Sequence, residues 1–356
     1  MRFKHLLLIA FFVVIAGIAA GGAFLHEKLS GLEEPIALSE PAFVELKRGT
    51  SYIGLARELE QRGFVENAFW VRVRGRLEPE LTGIQSGYYQ VEPGMSALEL
   101  IRRMARGETH SWSVRLPEGW TFSRIRERLN QQEHLAHTLE KGSGRAVMEK
   151  LGEKDMHPEG WFFPDTYEYH KGDTDLDVLR QAHERMTSEL SRAWASRAED
   201  LPLDSAYEAL ILASIIELET PLSEEKPRIA GVFVRRLERG MRLQTDPTVI
   251  YGMGEGYEGR IGGADLREKT PYNTYRIDGL PPTPIGMPGE AAIKAAVNPA
   301  EGEALYFVAR GDGSHYFSQT LEEHNKAVRR FQLNRSADYR SSPAPVVDES
   351  EDDADE

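Results

Sequence analysis

The stretch that organises this chain is Tyr207-Glu208-Ala209-Leu210-Ile211-Leu212-Ala213-Ser214-Ile215-Ile216-Glu217-Leu218-Glu219-Thr220-Pro221. It has no polar face, and a helix that is apolar all round is a buried one. Proline pushes the residue before it out of helical geometry, so the helix is predicted to end near Glu219. Two carboxyls therefore stand at a buried helix C-terminus. The partial negative charge there and the apolar surroundings both favour the neutral acid and raise its pKa. A glutamic acid with raised pKa is what protonation of a glycosidic oxygen requires. Residues two apart on a helix point to different sides, so only one of the pair is expected to face a cleft. Taken alone, the pair is equally compatible with two solvated charges at a helix end.

The flanking sequence shifts that balance. After a predicted helix over residues 223–239 comes Gly240-Met241-Arg242-Leu243-Gln244-Thr245-Asp246-Pro247-Thr248-Val249-Ile250-Tyr251-Gly252. Two further clusters are Pro271-Tyr272-Asn273-Thr274-Tyr275 and Gly279-Leu280-Pro281-Pro282-Thr283-Pro284-Ile285. Amides, hydroxyls and aromatic rings on glycine- and proline-rich segments are the chemistry of a sugar-binding surface. Gln244, Thr245, Asp246, Thr248, Tyr251, Tyr272, Asn273 and Tyr275 are the candidate substrate-binding residues. Asp246 suits equally an electrostatic partner for a developing cation and a structural cap before Pro247. His315 and His324 are nine residues apart with no adjacent third ligand, so neither metal nor cofactor is expected. Gly311-Asp312-Gly313 reads as a hairpin turn between strands at 305–309 and 316–318.

Toward the N-terminus, Glu159-Gly160-Trp161-Phe162-Phe163-Pro164-Asp165-Thr166-Tyr167 is too apolar for an exposed loop, and residues 175–198 form an amphipathic helix. Residues 130–155 read as polar and mostly helical, and Phe122–Leu129 as a helix. Residues 41–108 show the order strand, helix, helix, strand, helix, with strands near Phe43–Leu46 and Tyr88–Val91. That order resembles a LysM-like module, a small fold that grips peptidoglycan sugars, and suits a generic small α+β domain equally. Residues 26–40, with Pro35, read as a linker. Leu6–Leu25 carries no charge and follows Arg2, Lys4 and His5. About 20 helical residues span a bilayer core of roughly 30 Å, with the positive flank inside. An uncleaved anchor and a cleaved signal peptide both fit, and both export the remainder.

Composition narrows the function. Of the net charge of −14, seven acidic residues lie in Asp348–Glu356, which reads as a solvated tail. No basic patch points to nucleic acid. The chain has no cysteine, which excludes disulfides, thiolate metal sites, cysteine nucleophiles and a lipoprotein anchor.

Glu217–Thr220, Arg242–Gly254, Tyr272–Tyr275 and Gly279–Pro282 closely resemble the endolytic murein transglycosylases, the MltG family. Glu159–Tyr167 and the closing Tyr306-Phe307-Val308, His315, Phe317 and His324-Asn325 fit as well. The resemblance covers about residues 1–335. It implies a lytic transglycosylase (a lyase) that cleaves the β-1,4 bond between N-acetylmuramic acid and N-acetylglucosamine within nascent peptidoglycan strands. The product ends in 1,6-anhydro-muramic acid, and no water is consumed. The resemblance also implies action beside peptidoglycan synthases, a limit on strand length, and catalysis by the second glutamate of the pair, Glu219, with Glu217 as second choice. Two positions depart from the family pattern: Leu218 where a basic residue is usual, and Thr283 where glycine is.

The expected fold is α+β: residues 1–5 in the cytoplasm, a transmembrane helix at 6–25, a linker at 26–40, a LysM-like module at 41–108, a larger α+β catalytic domain at 110–335, and a disordered acidic tail at 336–356. The expected location is a bacterial inner membrane, single-pass, with the catalytic domain in the periplasm. A hydrolytic muramidase and a non-catalytic peptidoglycan-binding scaffold are the alternatives.

Overall fold

A computed structural model describes residues 2–139 and 144–333; the acidic tail lies outside the described residues. The chain divides into two units, Met1–Trp112 with Tyr169–Gly172, and Ser113–Glu168 with Asp173–Glu356.

The first unit opens with α1 (Arg2–Ser30). Its span Leu8–Ser30 is 23 residues long and contains an unburied stretch of mean hydropathy 2.5, long and apolar enough to cross a membrane. β1 (Ala42–Leu46), α2 (Tyr52–Gln61), α3 (Ala68–Leu77), β2 (Gly87–Val91) and α4 (Ala97–Arg106) follow. β1 and β2 pair antiparallel, Val44 opposite Tyr89. Their alternation puts Val44, Leu46, Tyr89 and Val91 against the helices. Ser51 and Ser96 cap α2 and α4 by accepting from the Gly54 and Glu99 N–H groups. The stripe Leu98, Leu100, Ile101 and Met104 of α4 is wholly buried. The segment expected as a linker is in part helix and in part core. Leu29, Leu32 and Ile36 are buried, and the Ile36 N–H donates to the Met95 carbonyl at 2.9 Å. Those three apolar side chains have a surface to cover, which the prolines nearby disguise in the sequence.

β3 (Ser111–Arg115) leads into the second unit, with α5 (Phe122–Asn130), α6 (Gly144–Leu151), β4 (Thr166–His170), α7 (Asp175–Ala195), α8 (Ala206–Glu219), α9 (Lys226–Glu238), α10 (Asp246–Met253), α11 (Glu290–Val297), the antiparallel hairpin β5 (Tyr306–Ala309) and β6 (His315–Ser318), and α12 (Leu321–Val328). Within 131–139 the predicted helix is absent. There the Asp175 carboxylate takes the Thr138 N–H, the Thr138 hydroxyl and the Leu139 N–H, so a side chain satisfies the backbone instead of a helical ladder.

α8 is the core of this unit. Residues 209–217 are all buried, and α7, α9, α10 and α11 pack around the helix. The lone hydroxyl in its apolar run, Ser214, donates to the Ile211 carbonyl at 2.7 Å and accepts from the Ile285 N–H at 3.0 Å. It pins the proline-rich loop to the helix. Trp161 of the aromatic cluster stacks on Tyr207 at 5.9 Å, and Phe162 on Phe122 at 5.2 Å, so the cluster is core rather than loop. The Gly119 N–H donates to the Met287 carbonyl at 2.8 Å, and the Met287 N–H donates to the Trp120 carbonyl at 2.9 Å. This close approach requires Gly286, where a Cβ would stand 2.9 Å from the Gly119 carbonyl oxygen. Because that obstacle is backbone, Gly286→Ala is expected to cost about 1–3 kcal/mol, read as a lowered urea midpoint with unchanged slope.

Candidate active site

The last turn of α8 separates its two acids. Glu217 turns inward, where its carboxylate accepts from Lys226 Nζ at 2.6 Å and from the Gly289 N–H at 3.0 Å. The side chains of Lys226 and Glu217 are only 1% and 5% exposed, so this is a buried ion pair with a backbone donor on its second oxygen. Glu219 turns the other way. Its Oε1 accepts from the Thr245 hydroxyl, and its carboxyl lines an open cleft of about 660 Å³. Thr220 then leaves helical geometry (φ −148°, ψ 134°) before Pro221.

Burial pushes the Glu219 carboxyl up to about 7; the Thr245 hydrogen bond pulls it back down, nearby Asp246 raises it and Arg236 lowers it. The cleft is lined by Gln244, Asp246, Tyr275, Tyr306, His315 and His324. The Asp246 carboxylate, in the first turn of α10, accepts from the Tyr275 hydroxyl at 2.7 Å. Arg236 bolts the walls together: its guanidinium donates to the Leu305 carbonyl at 2.7 Å and the Leu243 carbonyl at 2.6 Å, and lies over the Tyr306 ring. Gln244 is held at φ 52°, a left-handed conformation costly for a residue with a side chain. His324 stacks on Tyr306, and burial, then Arg236, holds its pKa down. His315 is tied to Glu225, Nδ1 to carboxylate at 2.7 Å. Among the described residues, no three His, Asp or Glu side chains gather as a metal-binding group.

The eight residues read from sequence as sugar contacts fall into three places. Gln244, Asp246 and Tyr275 line the cleft with Glu219, and Thr245 bonds to it. Thr248 and Asn273 are 0% and 1% exposed and hold loops. Thr248 donates to the Thr245 carbonyl, and Asn273 Nδ2 to the Asp265 and Glu268 carbonyls. Tyr251 and Tyr272 meet edge to face at 4.9 Å, outside the cleft lining. Tyr251 donates to Glu159, and the Tyr272 hydroxyl lies 2.9 Å from the Thr283 hydroxyl. Thr283, one of the departures noted above, thus has a partner of its own.

Two charged residues were missed. Glu159 is 4% exposed and accepts from the Phe122 N–H and the Tyr251 hydroxyl; burial pushes it up to about 7 against those two hydrogen bonds. Its signal was a charge inside an apolar stretch. Arg236 follows Ile229, Val232 and Phe233 at helical spacing, which places it on the inner face of α9.

A family model described as the YceG-like family matches residues 44–330. A protein of Bacillus subtilis (strain 168) named endolytic murein transglycosylase is 31% identical over 334 residues, covering 87% of this chain and 90% of that protein. One of Streptococcus pneumoniae (serotype 2, strain D39) with the same name is 26% identical over 90% of this chain and 64% of its own length. The crystal structure of a yceG-like protein from Listeria monocytogenes is 28% identical, covering 81% of this chain and 99% of that one, with a TM-score of 0.48.

The two acids of α8 predict opposite stability phenotypes. Glu217→Gln leaves the Lys226 ammonium buried without its counter-charge, and is expected to destabilise by about 3–5 kcal/mol. Native Glu219 holds its proton from the ordinary value of 4.5 up to about 7 while the unfolded chain releases it, so the wild type loses stability as pH rises through that window. Glu219→Gln removes this loss, and its stability relative to wild type is expected to rise by about 1–3 kcal/mol between pH 4 and pH 8, measured by urea unfolding at both pH values.

Proposed function

The chain belongs to the YceG-like family, and on that footing we propose that it is an endolytic murein transglycosylase, a lyase that cuts peptidoglycan glycan strands using Glu219. The bond cleaved is the β-1,4 link between N-acetylmuramic acid and N-acetylglucosamine. The carrying observation is the carboxyl of Glu219, raised to about 7 by burial and placed in an open cleft beside Gln244, Asp246 and Tyr275. A carboxyl near 7 is protonated often enough to act as an acid and ionised readily enough to act as a base.

Neutral Glu219 gives its proton to the glycosidic oxygen as the bond to C1 breaks. The sugar ring passes through an oxocarbenium-like state. The muramoyl 6-hydroxyl then closes onto C1, and its proton returns to the Glu219 carboxylate. The products are a free 4-hydroxyl and a 1,6-anhydro end, water is not consumed, and the acid is regenerated. One group thus does the work of the two carboxyls of ordinary glycosidases. Asp246, fixed by Tyr275, stabilises the cationic ring, and Gln244 and Tyr275 orient the sugar.

In this proposal α1 is a membrane anchor that places the rest of the chain outside the cytoplasmic membrane, beside the synthases whose nascent strands are shortened. The first unit, with its β1–α2–α3–β2 order, serves as a LysM-like module that holds the strand. The hydrolytic alternative has one observation in its favour: Asp246 is a second carboxylate in the cleft, where it would activate a water.

The test is mass spectrometry of purified glycan strands treated with residues 28–340 of the protein, beside Glu219→Gln. Anhydro-ended fragments from the former and none from the latter are expected. Reducing ends, one water heavier, would establish the hydrolase. If Glu219→Gln still cuts, the acid lies elsewhere. If neither form cuts but both bind glycan, and binding is lost with residues 43–105, the protein is a scaffold. For the lyase, activity is expected to fall as pH rises past about 7, where Glu219 gives up its proton.

A further inference from the structure

Thr245 occupies the N-cap position of α10, where a threonine hydroxyl ordinarily accepts from a backbone N–H of the first turn. Here it makes no capping bond. One of the usual donors is missing, because Pro247 has no N–H, and the hydroxyl donates instead to Glu219 Oε1. Its direction is set from behind. The Thr245 N–H donates to the Thr274 hydroxyl at 3.0 Å, and its carbonyl accepts from the Thr248 hydroxyl at 2.7 Å. The Thr248 and Thr274 hydroxyls are themselves 2.9 Å apart. All three threonines are 2% exposed or less. The Gln244 N–H adds a bond of 3.2 Å to the Thr274 carbonyl, across a residue held at φ 52°. Two features thus give up stability next to Glu219, an unused cap and a strained backbone, and an observed strain of this kind is a pointer to function.

We infer that Thr245 is a positioning residue for the proposed acid: its hydroxyl, aimed by Thr248 and Thr274, occupies Glu219 Oε1 and so assigns Oε2 as the oxygen that delivers and recovers the proton. Among the described residues none donates to Oε2. A hydroxyl has one proton, and that of Thr245 is spent on Glu219, so it is not a donor to sugar. Thr248 and Thr274, although buried, act on the chemistry through Thr245. The hydrogen bond also favours the ionised carboxyl, and so opposes the burial that raises Glu219. The acid is held near the middle of its two tasks rather than locked in the neutral form.

This rests on Glu219 being the acid, and the test separates the two ideas. The titration of the Glu219 carboxyl is followed by carbon NMR in wild type, Thr245→Val and Thr245→Ser, with Glu219→Gln assigning the signal. Removing the donor is expected to move the titration above the wild-type value of about 7 in Thr245→Val, and Thr245→Ser to restore it. With glycan strands, Thr245→Val is expected to lose roughly 10- to 100-fold in kcat, the value of a hydrogen bond to a charged group. KM should change little, and the alkaline limb of the pH profile should move up with the titration. Thr245→Ser is expected to recover both. A rise in KM with an unmoved limb would make Thr245 a sugar contact and overturn the inference. So would an unshifted titration, or a loss in Thr245→Val that tracks a lowered melting temperature and is not rescued by serine. If Glu219→Gln still cuts strands, the assignment of the acid fails, while the titration still decides whether Thr245 controls this carboxyl.

Discussion

The buried ion pair between Lys226 and Glu217 is the constraint on which the rest of the second unit depends. It joins the end of α8 to the start of α9, and the Gly289 N–H brings the start of α11 to the same carboxylate. Withdrawing two charges from water is costly, and such a pair is tolerable only when geometry is good and the remaining lone pairs are satisfied. Here the ammonium lies 2.6 Å from one carboxylate oxygen and the Gly289 N–H bonds the other. The consequence is angular: with Glu217 fixed inward, Glu219 stands about 200° further round the helix, at roughly 100° per residue. Whatever Glu219 does, it does on the opposite face of α8, in the cleft.

The two acids show how environment divides one residue type into two roles. Glu217 meets a full positive charge and a backbone donor, and serves structure. Glu219 meets a hydroxyl, an arginine held at a remove by its carbonyl partners, and a second carboxylate, and its proton is retained to about 7. Buried hydroxyls and a left-handed residue meet on the segments facing it, residues 244–248 and 273–275. The start of α10 carries the unused cap and the left-handed glutamine, whereas α8 and α12, which also line the cleft, begin with side-chain caps at Ser205 and Thr320.

Much of this was readable from residues alone, for identifiable reasons. α8 announced itself because a long run without a polar face has only one place to go. The strands β1 and β2 and the β5–β6 hairpin with its Gly311-Asp312-Gly313 turn followed from local alternation and turn chemistry. Readings failed where the partner was distant. Residues 131–139 gave up a helix for the carboxylate of Asp175, more than thirty residues away. Leu29, Leu32 and Ile36 became core because a surface from α4 and its neighbours was there to receive them. The burial of Thr248 and Asn273 against loop carbonyls was likewise hidden, because residue type alone does not report what a hydroxyl or amide faces.

The sequence by itself determined that two glutamates end a buried helix, that only one of them faces a cleft, and that polar and aromatic residues cluster in three later segments. The order of those residues in the chain carries no record of which carboxyl meets Lys226, which hydroxyl meets Glu219, or that Arg236 and His324 close the cleft. Tertiary structure decided these, because periodicity reports which side of an element is apolar, whereas the pKa and direction of a buried polar group are set by partners brought to it across the fold.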